Sequence, residues 1–212
     1  MLYSAKKKCG GFTLVELLVA LSISGFILAA VATLAFAMGS AYDSSDDTMA
    51  KQSRVRTTKT VLRNLLCDAK MVFLESDGDL AVWKSDDGDN RIEDEELVYI
   101  EKGIYGNHLY LVSYKNTSGL STSFSITNIE DGSAKNFMNF NCARQTVKFL
   151  DDDCRNVWFR FDSSPPSTRL VSIAFELLEN GQWKQYHMSC YLSGWAGNLL
   201  DGMGNSLISD DD

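Results

Sequence analysis

Few of the 212 residues are of types and spacings that could do chemistry, and they fall into three groups. Glu16 stands four residues after Phe12 inside an otherwise apolar run. The twelve residues from Ser85 to Glu96, SDDGDNRIEDEE, crowd carboxylates together. Five cysteines are spread through a chain with only two histidines, His108 and His187. Neither histidine lies in a nucleophile motif. The sequence carries no G-x-S-x-G, no phosphate-cradling P-loop and no H-E-x-x-H. The expectation is a binding or structural protein and not an enzyme.

Ser85–Glu96 follows the order of a calcium loop. Ser85 stands at position 1, Asp87 at 3, Asp89 at 5, the Arg91 carbonyl at 7, Glu93 at 9 and Glu96 at 12, with Ile92 at the apolar position 8. Crowded carboxylates repel one another until a hard dication neutralises them. Two positions depart from the pattern: Ser replaces Asp at position 1, and Asn90 replaces Gly at position 6, although Asn enters left-handed backbone more readily than most residues. The flanks, LAVW and LVYI, read as strands where a calcium loop has helices. Calcium is the one cofactor expected, against the plain alternative of an acidic hairpin loop in water.

Cys9 precedes the apolar run, while Cys67, Cys142, Cys154 and Cys190 follow it. An even count on one side suits an oxidising compartment and up to two disulfides, with three pairings open. Cys142 and Cys154 flank a hairpin expected from TVKFL and NVWFRF and form the favoured pair. Zinc is disfavoured because no C-x-x-C or histidine pairing accompanies them. The formal charge is −8, with Lys6, Lys7 and Lys8 near the start. Nucleic acid demands a basic footprint, so this balance argues against it.

The elements that must position these groups are legible from periodicity. Residues 1–11 are a basic leader. Residues 12–38 form an apolar helix, and the 22 uncharged residues Leu17–Met38 would span a hydrocarbon core of roughly 30 Å at about 1.5 Å per residue. SAYDSSDDT, Ser40–Thr48, is either a polar break or a continuation of the helix. From Met49 a stripe recurs at helical spacing through Val55, Thr58, Leu62, Leu65, Leu66, Ala69, Val72 and Phe73. The opposite face carries Lys51, Arg54, Arg56, Lys59, Arg63 and Lys70, and ESDGD at Glu75 ends the helix, so residues 39–75 are its outer half. Residues 76–200 then read as strands: LAVW, LVYIE, HLYLVSY, SFSIT, TVKFL, NVWFRF, RLVSIAFELLE and QWKQYHMSCYL. Asn180-Gly181 joins the last two as a tight hairpin. Residues 201–212 read as a flexible acidic tail. The fold class expected is α+β, a long N-terminal helix packed on an antiparallel sheet. Trp83, Trp158, Phe159, Phe161 and Trp183 are expected in its core.

Three explanations compete for the N-terminal stretch. A secretory signal peptide fits the basic start and AFA at Ala35–Ala37, but its apolar stretch would be too long and Glu16 misplaced. A plain membrane anchor fits the length and leaves Glu16 unexplained, since a charge costs about 2.5–3.5 kcal/mol at mid-membrane. KKKCGGFTLVELLVAL closely resembles the processing motif of type IV pilin-like proteins. That resemblance implies a leader retained in the cytoplasm, cleavage by a prepilin peptidase after Gly11, methylation of the new Phe12 amine, and Glu16 as the glutamate at the fifth mature position. Phe12 and Glu16 share a helix face, so the carboxylate can neutralise its own or a neighbouring subunit's ammonium.

The order of elements and the size of the β-rich region resemble the J-type minor pseudopilin of type II secretion. The tip-most K-type member typically lacks the glutamate. The resemblance implies other pilins, the peptidase/methyltransferase and an inner-membrane assembly platform as partners. It also implies an inner-membrane single span with a periplasmic ectodomain. The alternative function is a membrane-anchored or exported β domain that binds calcium or a partner, unrelated to filaments.

Overall fold

The computed structural model describes residues 13–103, 105–117, 119, 121–150 and 154–200, without side chains at 43 and 44. The leader, Gly11, Phe12 and the tail 201–212 lie outside the described residues. The chain divides into two units, 1–47 and 48–212.

Helix α1, Leu14–Asp68, is continuous through Ser40–Thr48, so that stretch extends the helix rather than breaking it. Every described side chain from Thr13 to Tyr42 is exposed, including Phe26 and Phe36. A helix that is apolar on all sides needs an apolar environment all round. Among the described residues α1 is the one helix long and apolar enough to cross a membrane.

In the second unit α1 behaves as an amphipathic helix. Val55, Thr58, Leu62, Leu66 and Ala69 are buried, while Arg54, Arg56 and Arg63 are exposed. Leu62 and Leu66 are wholly covered, and burial of each stabilises the fold by about 1.5–3 kcal/mol. The helix stops at Asp68 because the later chain caps it. The Cys67 carbonyl accepts the N–H groups of Ser193 and Gly194 at 3.0 and 3.1 Å and the Ser193 hydroxyl at 2.6 Å. A Cβ on Gly194 would lie 2.5 Å from the Asp68 carbonyl oxygen, so only glycine permits this approach.

The helical stripe therefore ends earlier than its spacing suggests. Val72 and Phe73 belong to strand β1, Met71–Leu74, which pairs antiparallel with β2, Leu80–Trp83. Their three- and four-residue spacing continues the helical count by coincidence. In the strand they point to opposite faces, and ESDGD is the hairpin turn between β1 and β2. With β4 (Leu97–Glu101), β5 (Leu109–Asn116) and β7 (Cys142–Leu150) they form an antiparallel sheet in the order β1-β2-β4-β5-β7. A second sheet has the order β10-β9-β8, from β8 (Cys154–Phe161), β9 (Leu170–Glu179) and β10 (Gln182–Tyr191). Asn180 and Gly181 turn β9 into β10 with φ of 50° and 75°, the positive angles a two-residue primed turn requires.

Strands β1, β2 and β4 of this sheet are buried on both faces, whereas β7 at its edge is largely exposed from Ala143 to Lys148. Val72, Leu80, Val82 and Ile100 join α1 and the β8–β10 sheet in one core. Met71, Phe73, Ala81, Trp83, Leu97 and Tyr99 face a second core under α2 (Ile126–Glu130) and α3 (Ser133–Asn141). SFSIT was expected as a strand. Only Ser123–Phe124 is one, β6, paired with β3 (Ile92–Glu93). Ser125 instead caps α2, its hydroxyl accepting the Asn128 N–H while the Asn128 side chain accepts the Ser125 N–H. Two of the five expected core aromatics lie outward: Trp158 and Trp183 are 42% and 38% exposed. Trp183 packs under the Arg155 guanidinium, 3.9 Å from its ring centre. Side chains on the outer face of β8 and β10 have no layer above them among the described residues.

Candidate functional site

The acidic loop is held by its own backbone. Asp86 accepts the N–H groups of Gly88 and Asn90, Asp87 that of Asp89, and Asp89 that of Arg91. Asn90 takes the left-handed conformation, φ 56°. The carboxylates of Asp86, Asp87 and Asp89 come within 4.8 Å of one another. Glu93 and Glu96 do not join them in that group. Glu96 turns inward: Oε2 accepts the Trp83 indole N–H at 3.0 Å and the Glu93 N–H at 3.3 Å, and Oε1 accepts the Asp87 N–H at 2.9 Å. Burial pushes its carboxyl above the ordinary value. Glu93 accepts the Ser121 hydroxyl. The expected carboxylates are thus divided: Asp87 and Asp89 come together with Asp86, which the expected set did not include, while Glu93 and Glu96 stand apart.

A second acidic cluster was not anticipated. Glu75, Asp77 and Asp79, from ESDGD, surround the ammonium of Lys135 at 3.0, 3.3 and 2.7 Å, with Glu101 at 3.5 Å. The E-x-D-x-D spacing was legible in the sequence. The lysine that neutralises it, about sixty residues away on α3, carried no local signal. Burial pushes the Glu75 carboxyl up to about 7. The same carboxylates hold the Lys135 ammonium charged, its value raised despite burial.

The favoured cysteine pair is not brought together. β7 and β8 belong to different sheets, so TVKFL and NVWFRF form no hairpin. Cys142 lies opposite Asn116 and 3.6 Å from an Asp94 oxygen, whereas Cys154 is buried opposite Leu177. Cys67 and Cys190 are the pair in contact, with 2.7 Å between sulfurs. On the basic face of α1, Lys51 donates to the Leu178 carbonyl at 2.9 Å and Lys59 lies over the Tyr186 ring. Those two belong to the fold, and Arg54, Arg56 and Arg63 to solvent.

At the N-terminal end Glu16 occupies the first turn of α1 and closes a capping box with Thr13. Glu16 Oε2 accepts both the Thr13 N–H and the Thr13 hydroxyl at 2.9 Å, and the Thr13 hydroxyl oxygen accepts the Glu16 N–H at 3.3 Å. A carboxylate at a helix N-terminus is further favoured by the peptide dipoles. The carboxylate is thus anchored at the end of the apolar helix, at the fifth residue of the segment expected to follow cleavage.

Residues 6–32 match the prokaryotic N-terminal methylation motif. The N-terminal stretch is therefore type IV pilin-like, and the match spans Gly11, Phe12 and Glu16. It implies processing by a peptidase and assembly with other pilins, in a class whose members are structural. The motif ends before the β-rich region begins. No curated protein and no solved structure matches the chain.

Proposed function

We propose that this chain is a minor pilin or pseudopilin subunit of a type II secretion or type IV pilus-like filament. Its leader is removed after Gly11, the Phe12 amine is methylated, and the mature helix moves from the inner membrane into the filament. The methylation motif over residues 6–32, with Glu16 held in the first helical turn, carries this reading. A freed ammonium in lipid is as costly as a carboxylate, and a pair is tolerated where either charge alone is not. Glu16 already accepts donors from Thr13, so a neighbouring Phe12 amine would exchange or share those bonds rather than meet a bare charge. A helix followed by a β region of this size supports a place beside the J-type minor subunits, and Glu16 argues against a K-type tip subunit.

Glu16→Ala tests the reading. The variant should insert in the membrane as the parent does and be recovered poorly with the assembled filament. Parental recovery would refute the charge pairing. Mass analysis of the mature chain should find a start at methylated Phe12; a start at Met1, or beyond Ala37, would refute the filament assignment and leave a tethered or exported β domain.

Calcium at the acidic loop is a secondary proposal, supported by the convergence of Asp86, Asp87 and Asp89. Because Glu96 is committed to three N–H donors, the closing bidentate ligand is missing and affinity should be no better than millimolar. Calorimetry without heat at millimolar calcium would remove it.

A further inference from the structure

We propose that Cys67 and Cys190 form a disulfide in the mature protein, clamping the last turn of α1 to the last strand of the fold, with Cys142 and Cys154 remaining thiols. The inference rests on the filament reading for its oxidising compartment and on the structure for its geometry. The two sulfurs lie 2.7 Å apart, and a covalent bond needs about 2.05 Å, so closure requires a shift of less than an ångström.

Both backbones are already fixed around the contact. Cys190 sits in β10 opposite Val171 of β9. The Cys67 carbonyl is capped by Ser193 and Gly194, just beyond β10. The Cys190 sulfur also lies 3.5 Å from the Arg63 carbonyl, one turn back along α1. The junction thus holds its cysteines in register before any oxidation. Cys67 is half-buried and Cys190 buried, so Cys67 is the sulfur that an incoming disulfide reaches.

The chemistry is a thiol–disulfide exchange with an extracytoplasmic protein disulfide as oxidant. The Cys67 thiolate attacks that disulfide, forming a mixed disulfide and releasing one thiolate of the oxidant. Cys190, as thiolate, then displaces the second oxidant sulfur and the Cys67–Cys190 bond forms. Two S–H bonds are lost, two electrons and two protons pass to the oxidant, and it leaves as a dithiol. Cys142 has no cysteine in reach among the described residues, and burial and the neighbouring Asp94 keep its thiol protonated and slow to exchange. Cys154 is sealed inside the first core.

Residues 67 and 190 are 123 apart in sequence, so the bond would close a loop containing the whole five-stranded sheet, α2, α3, β8 and β9. Long loops gain most from closure. In a filament the clamp would keep the sheets attached to the helix that carries them.

The test uses the full chain, extracted in detergent from bacterial membranes and blocked with N-ethylmaleimide before digestion. A Cys67–Cys190 linked peptide is expected, with Cys142 and Cys154 alkylated. Reductant should lower the unfolding midpoint by about 10 °C. Cys67→Ser and Cys190→Ser should each lose that sensitivity, while the Cys142→Ser/Cys154→Ser double variant keeps it. A Cys142–Cys154 linked peptide would overturn the pairing. In parallel, reduced protein is incubated with oxidised glutathione. If the pair fails to close there, the geometric argument is wrong. If it closes there but is alkylated when taken from cells, the disulfide is not a feature of the mature protein, and the fault lies with the compartment and the filament reading.

Discussion

Replacing Lys135 by Met should destabilise the β-rich unit severely, and more at high pH than at low. The ammonium is 13% exposed and lies within 3.5 Å of four carboxylates, of which Glu75, Asp79 and Glu101 are themselves 1%, 10% and 11% exposed. Asp77 is 53% exposed and well screened, so it adds little. Met restores the volume but leaves three nearly buried carboxylates with Arg144, on Glu101 alone, as remaining counter-charge. Removing one partner of a buried pair costs about 3–5 kcal/mol, which for a chain of this size is a fall of about 10 °C in Tm. Both cores lie within residues 55–196, so the unit from Thr48 onward suits thermal unfolding followed by circular dichroism. At pH 8 the full loss is expected. At pH 5 Glu75 takes up a proton and relieves part of it, and the double variant Lys135→Met/Glu75→Gln should recover part of the loss at pH 8. A single variant within about 1 °C of the parent at pH 8 would show that the cluster is solvated and the burial argument false.

Glu75 should also shape the parent's pH profile. Its carboxyl, raised from 4.5 to about 7, holds its proton more tightly folded than unfolded. Its contribution is therefore whole below pH 4.5 and fades as pH rises to about 7, by at most about 3 kcal/mol; Glu75→Gln should flatten that segment of the denaturation profile, and an unchanged slope would refute it. Asp162 acts in the opposite direction: the Thr168 hydroxyl and the backbone N–H groups of Leu170 and Arg169 hold it down at about 2, so its contribution is present above pH 3.8 and lost as pH falls through 2, and Asp162→Asn should remove that acid limb. Gly194→Ala should cost about 2–4 kcal/mol in chemical denaturation because the added carbon meets the Asp68 carbonyl; a cost below 0.5 kcal/mol would mean that the helix end yields. Ser125→Ala should cost about 1 kcal/mol through the lost α2 cap, read as a Tm drop of about 2–4 °C.

The elements were legible where one local signal decided them. Asn180-Gly181 announced the β9–β10 hairpin, and Val55, Leu62 and Leu66 announced the buried face of α1. The end of α1 was not legible, because it is set by Ser193 and Gly194, more than a hundred residues later. The α2–α3 layer was missed because Ser125, within SFSIT, reads as a strand residue until its reciprocal cap with Asn128 is seen. LAVW and LVYIE, buried at every position, lack the polar alternation that tells a one-sided sheet from one covered on both faces. Glu16 stood out because a charge in an apolar run is expensive wherever it falls. The Lys135 cluster and the Cys67–Cys190 contact were hidden because each joins segments distant in sequence.

The double covering of β1, β2 and β4 makes them a partition. Neighbouring residues on one strand, such as Val72 and Phe73 or Val82 and Trp83, belong to different interiors. The chamber beneath α2 and α3 can therefore be remodelled by inheritance without disturbing the one that grips α1. A fold built this way can change the surface around α2 and α3 while leaving unaltered the core that holds Val55, Leu62 and Leu66.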